Sequence, residues 1–140
     1  MTPHIAPTAA TALTVAAGGA AGAALRYQLW RWWPDGGAGF PFTTFAINVV
    51  GCFLFGVCVG VMPNDEHGRG AVLRHFLTFG VLGGFTTFSF FAVQGVTLTS
   101  PKIGALYLVV TPILAISAAM LGRWCTACLS AGARNERHAR

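Results

Sequence analysis

The chain has 140 residues, 54% of them hydrophobic and only 9% charged, with 18 Gly and 11 Phe. Soluble domains carry about 25% charged residues, and a chain this short cannot bury so much apolar surface in one core. These proportions exclude a disordered chain, argue against a soluble enzyme and point to an integral membrane protein. The formal net charge of +5 comes from nine Lys/Arg against four Asp/Glu. Those cations mostly punctuate apolar runs, as loop charges do in a membrane protein, rather than forming a face for nucleic acid.

In chain order, residues 1–25 carry no charge, and Arg26 and Arg31 close that run. The segment from Phe40 to Met62 is uncharged and ends at the polar turn Pro63-Asn64-Asp65-Glu66-His67. No Lys, Arg, Asp or Glu lies between Arg74 and Lys102, or between Lys102 and Arg123. About 20 mainly apolar residues cross a bilayer, and each run supplies them. The sequence therefore predicts an all-α integral membrane protein with one transmembrane domain over residues 1–129. Its four helices lie near 9–30, 41–62, 75–98 and 103–123, and a polar tail over 130–140 is expected to fray. A cleaved signal peptide is the competing reading of the first run, but the residues before its alanines lack the positive stretch such signals carry.

Four crossings put both termini and the 63–74 loop on one side, with Arg69, Arg74, Arg123, Arg134, Arg137 and Arg140. The other side holds Arg26, Arg31 and Lys102. Without the three tail arginines the two sides balance, so orientation is weakly encoded. Gly18 with Gly22, Gly56 with Gly60 and Gly80 with Gly84 have the spacing that lets membrane helices approach closely. Three such pairs in three helices predict a tightly packed bundle and favour an oligomer.

Several chemistries are missing. No Asp or Glu lies within the four predicted spans, which disfavours a proton-coupled drug exporter, since such proteins hold an ionisable group at depth. His4, His67, His75 and His138 are scattered, and no nucleophile, zinc-hydrolase or phosphate-cradling motif is present. An enzyme is not expected. Cys125 and Cys128 form a CxxC at the end of an apolar helix with no second pair, and Cys52 and Cys58 read as ordinary intramembrane packing.

Two features remain. Asn48 is an amide within an apolar span, with Thr44 one turn away on the same face; it either glues helices together or lines an aqueous path. The run Gly80-Val81-Leu82-Gly83-Gly84-Phe85-Thr86-Thr87-Phe88-Ser89-Phe90-Phe91 concentrates glycine and hydroxyls where a continuous helix is poorly served. A break there would expose carbonyl oxygens, tolerated only inside protein or facing a cavity or ion, and broken membrane helices coordinate cations in this way. Phe88 and Phe91, three apart, share a face. Their positive ring edges could attract an anion, although packing is the plainer role for both.

At these residues the sequence resembles a known family. Gly19-Ala20-Ala21-Gly22-Ala23-Ala24-Leu25-Arg26-Tyr27 is similar to the GxxGAxxRY opening of the Fluc (CrcB) fluoride channels. Asn48-Val49-Val50-Gly51-Cys52-Phe53 matches their NxxGxF pattern. The third-span run resembles their GxxGGxTTFSTF, and Tyr107 and Thr111 resemble their YxxxS. The resemblance covers roughly residues 18–123.

It implies a fluoride-selective channel in the plasma membrane, passively exporting fluoride that accumulates as hydrofluoric acid crosses the bilayer and dissociates inside. It implies four helices with a broken third helix, an antiparallel dual-topology dimer with two pores, and a structural sodium ion at the dimer centre. By motif position the backbone carbonyls of Gly83 and Thr86 would hold the sodium. Asn48, Phe88 and Phe91 would line the fluoride pore, with Ser89, Tyr107 and Thr111 extending the polar lining. Arg26 would sit at a pore entrance, or else serve as a snorkelling interfacial anchor. The favoured partner is a second copy of the chain; a heterodimer with a paralogous chain of fixed opposite orientation is the alternative. Phe90 replaces a usual Thr or Ser, and Gln94 stands where Glu is frequent. The competing functions are a small multidrug-type exporter and a non-transporting membrane assembly protein.

Overall fold

The computed structural model describes residues 9–36, 39–62 and 69–138, with side chains described as far as residue 129. The turn Pro63–His67 lies outside the described residues. Helix α1 spans Ala9–Trp32, α2 spans Phe42–Val61 and α3 spans Arg69–His75. A π-helical segment, Phe76–Leu82, leads into the single turn α4, Gly83–Phe85; α5 spans Phe88–Thr97 and α6 spans Pro101–His138. Every element assigned among the described residues is helical.

Three stretches are long and apolar enough to cross a membrane: Phe42–Val61, Arg69–Thr97 and Pro101–Leu129. Helix α1 has 24 residues, about 36 Å at 1.5 Å per residue. It has the length for a bilayer, but Ala and Gly replace much of the Leu, Ile and Val that make the other three strongly apolar.

Two boundaries differ from expectation. The third helical run begins at Arg69 rather than near residue 75, so Arg69 and Arg74 lie on helix rather than in a loop. The last helix starts at Pro101, where a missing N–H costs nothing in the first turn, and continues to His138 through the segment expected to fray. Ala, Arg and Glu there are good helix formers, and Gly132 opposes them by only about 1 kcal/mol.

Glycine sets the packing. Helix α1 lies along the π segment and α4, α2 lies along α6, and α5 packs on α6. A Cβ added at Gly18 would stand 2.9 Å from the Gly80 Cα, and one at Gly84 would stand 2.9 Å from the Gly19 Cα. On the other seam, a Cβ at Gly56 would meet the Ala119 carbonyl and one at Gly122 would reach the Val57 nitrogen at 3.0 Å. The backbones therefore touch. All three glycine pairs seen in the sequence are used inside one protomer, and they carry no argument for an oligomer.

The π segment widens the third run: the Gly83 N–H reaches the Thr78 carbonyl, five residues back. Buried Thr78 returns its hydroxyl to the Arg74 carbonyl at 2.7 Å. The small interior holds Ile47, Leu82, Phe85, Phe91 and Tyr107, while Val96, Ile116 and Met120 stand exposed. That outer surface is what a lipid solvent requires.

Candidate functional site

Helix α4 stops because the backbone turns extended at Thr86 (φ −75°, ψ 158°) and Thr87 (φ −146°, ψ 117°). Helix α5 restarts with Thr87 as its N-cap, whose hydroxyl accepts the Phe90 N–H at 3.2 Å. The interruption is clamped from α2. Asn48 Oδ1 accepts the Thr87 N–H at 2.8 Å, and Asn48 Nδ2 donates to the Thr87 carbonyl at 3.1 Å.

These bonds change what the backbone offers. In a continuous helix the Gly83 carbonyl would accept from the Thr87 N–H, and the Thr86 carbonyl from the Phe90 N–H. Both N–H groups are spent instead on side chains, those of Asn48 and Thr87. The carbonyls of Gly83 and Thr86 have thus lost their helical donors. They are the two oxygens that the family resemblance would assign to a sodium ion. Among the described residues no group of three or more His, Cys, Asp or Glu could hold a metal ion, so a cation here depends on backbone oxygen, the donor a hard ion takes from unwound helix.

A second polar cluster lies at the head of α2. Half-buried Asp35, in the loop after α1, accepts the Thr43 N–H on Oδ1 at 2.7 Å. Its Oδ2 accepts the Thr44 N–H at 3.3 Å, the Thr44 hydroxyl at 2.9 Å and Gln94 Nε2 at 3.1 Å. Pro41 has no side chain to cap the helix it precedes, and Asp35 takes over that task from eight and nine residues upstream of the groups it accepts from. Gln94 Oε1 accepts in turn from the Tyr107 hydroxyl at 3.3 Å. Sequence reasoning did not single out Asp35. The available signal was a lone acidic residue following Pro34 and shortly preceding a Thr-Thr pair that opens an apolar run.

The rings divide. Phe88 and Phe91 lie 5.8 Å apart between centroids, yet Phe88 is 80% exposed on the protomer and Phe91 only 6%. Phe91 packs on Tyr107 at 5.0 Å, and Tyr107 meets Phe40 edge to face at 5.3 Å. One turn along α6, the Thr111 hydroxyl is buried with no partner. Pro112 follows it inside the helix, so the Leu108 carbonyl lacks its helical donor as well. Ser89 faces outward.

Arg26 lines a separate cleft of about 280 Å³ with Tyr27, Trp30, Thr44, Thr87 and Phe90. Its Nε is buried and unpartnered, a donor held where an anion could use it. The structure thus joins Asn48 to the break, groups Phe91, Tyr107 and Thr111 on another face, and brings Arg26 beside Thr44 and Thr87. Phe88 and Ser89 are left on the protomer surface.

The family model described as CrcB-like protein, Camphor Resistance (CrcB), matches residues 13–123. A Streptomyces coelicolor protein named fluoride-specific ion channel FluC 1 is 43% identical over 113 residues, covering 79% of this chain and 73% of its own. An Erythrobacter litoralis protein named fluoride-specific ion channel FluC is 43% identical over 118 residues, 79% of this chain and 87% of its own. A Rhizobium leguminosarum protein of the same name is 40% identical over 115 residues, 79% of this chain and 91% of its own. With the family pattern spanning the clamp, the break and the Tyr107 face, the chain belongs to the CrcB family.

Proposed function

We propose that the chain is a fluoride channel of the cell membrane, crossing the bilayer four times with α1 as the first span. It lets fluoride leave the cytoplasm down its gradient. The observation that carries this reading is the release of the Gly83 and Thr86 carbonyls by Asn48 and Thr87. Two carbonyls fall short of a shell for a hard cation. A second copy related by a two-fold axis would contribute the same pair, which fits a structural sodium at the centre of an antiparallel dimer. When bound, the sodium supplies a fixed positive charge near the ion path.

The path needs contacts that replace hydration without binding too tightly. Arg26 offers its buried Nε–H in the cleft. Asn48 keeps one Nδ2–H beyond the one given to the Thr87 carbonyl. Phe88 and Phe91 offer ring edges, Thr111 offers its unpartnered hydroxyl, and Tyr107 lines the same face. Phe88, exposed on the protomer, is placed to complete a path only against a partner. A homodimer is the simplest such assembly; a heterodimer with a paralogous chain is the alternative, and expressing this chain alone and assaying the purified dimer separates them. The deciding experiment is fluoride-electrode efflux from proteoliposomes, with and without competing chloride. Fluoride efflux well above that of empty liposomes is expected, and efflux equal to theirs overturns the reading.

A further inference from the structure

Asp35 does more than cap α2. An ionised carboxylate can only accept hydrogen bonds. The Gln94 atom facing Asp35 Oδ2 at 3.1 Å is therefore the amide nitrogen, and the amide oxygen is left facing Tyr107 at 3.3 Å. That oxygen also can only accept, so the single Tyr107 hydroxyl proton is given to Gln94, with the Thr44 oxygen as the neighbouring acceptor. The Thr44 hydroxyl proton is committed to Asp35 in the same way, at 2.9 Å. Tyr107 is fully buried and Thr44 is 1% exposed, so bulk water supplies no substitute donor. An anion reaching this end of the path meets oxygen lone pairs.

We propose that Asp35 is a positioning residue whose charge sets the direction of the chain Tyr107→Gln94→Asp35, holding the Tyr107 proton away from a passing anion. This rests on the reading of the Tyr107 face as part of the fluoride path. The device weakens the anion's hold on a buried hydroxyl, and weak binding favours conduction over trapping. Removing the charge reverses the chain. In Asp35→Asn the new amide can donate to Gln94, whose own amide then turns its nitrogen to Tyr107 and releases the phenol proton. Gln94→Met deletes the relay while leaving the three bonds between Asp35 and the head of α2 in place.

The experiment is fluoride efflux from proteoliposomes across a range of fluoride concentrations, for the parent chain, Gln94→Met, Asp35→Asn and each change combined with Tyr107→Phe. The half-saturating fluoride concentration should fall about tenfold in Gln94→Met, the effect of one added hydrogen bond to an ion. It should fall in Asp35→Asn as well. In the Tyr107→Phe background neither change should move it. A residue that only caps α2 would lower thermal stability in Asp35→Asn and leave half-saturation in Gln94→Met unchanged. An unchanged or raised value in either assembled variant overturns the proposal, and so does a fall that persists without the Tyr107 hydroxyl. If Tyr107→Phe carries no flux, the direction of the two single variants decides. A parent chain without fluoride efflux removes the path itself; a conducting parent with an unaltered Gln94→Met removes only the role of Asp35.

Discussion

Asn48 and Thr87 bond each other twice: the side-chain amide takes the Thr87 N–H at 2.8 Å and gives a proton to the Thr87 carbonyl at 3.1 Å. The amide does what a neighbouring backbone would do in a sheet, and does it between two helical runs. Both Asn48 and Thr87 are buried, so no water would take its place. Asn48→Ala leaves two backbone groups unsatisfied, each costing about 1–3 kcal/mol. We expect a lower unfolding midpoint in detergent and loss of fluoride flux. An unchanged midpoint would show that the break holds without its clamp.

The Thr87 hydroxyl has a separate task, capping α5 through the Phe90 N–H. Thr87→Ala should lower stability by about 1 kcal/mol, while Thr87→Ser keeps the acceptor and should stay within a few tenths. Thermal unfolding of the three proteins side by side reads the difference. Equal losses for Ala and Ser would assign the effect to the methyl group rather than to the cap.

Glycine and threonine crowd residues 80–87, where a membrane helix prefers bulkier apolar residues, and that composition was legible in the sequence. Asn48 was legible as an amide in an apolar span, but its partner lies 39 residues away, and helical periodicity relates only residues a few positions apart. Asp35 escaped for the same reason: its bond to Gln94 joins residues 59 apart, and on its own side it is one polar residue in a short loop. The glycine pairs were legible as contact surfaces. Which surfaces they meet was not, since close approach within a protomer and between protomers demands the same residue.

Gly56 makes that distinction testable. A Cβ there would run into the Ala119 carbonyl of the same chain, whereas one at Gly39 would meet nothing within 4 Å. Gly56→Ala should force α2 and α6 apart at a cost of about 1–3 kcal/mol. Gly39→Ala should leave the unfolding midpoint in place. Similar midpoints for both variants would mean that the α2–α6 seam yields.

Phe88 and Phe91 separate transport from stability. Phe91 is buried against Tyr107, and Phe91→Ile should lower the midpoint through lost aromatic packing, by about 1–3 kcal/mol. Phe88 is 80% exposed on the protomer, so Phe88→Ile should keep the protomer fold. Both should sharply slow or abolish fluoride efflux, because isoleucine has no ring edge to offer an anion. Full flux from assembled Phe88→Ile would remove that ring from the path.

The carbonyls of Gly83 and Thr86 cannot be changed by substitution, but the cation they are proposed to hold can be withdrawn. A ligand that binds only the folded protein stabilises it by about 2.7 kcal/mol at a hundredfold excess over its Kd. Purified protein should therefore unfold at a higher temperature in sodium chloride than in N-methylglucamine chloride of equal ionic strength. Screening alone would act equally in the two salts, so the difference isolates the cation. Asn48→Ala supplies the internal check. With the Thr87 N–H and carbonyl no longer held by Asn48, nothing fixes the break that presents the Gly83 and Thr86 carbonyls together, and the sodium-dependent rise should vanish in that variant. Equal midpoints for the parent chain in the two salts would mean that the released carbonyls hold no sodium.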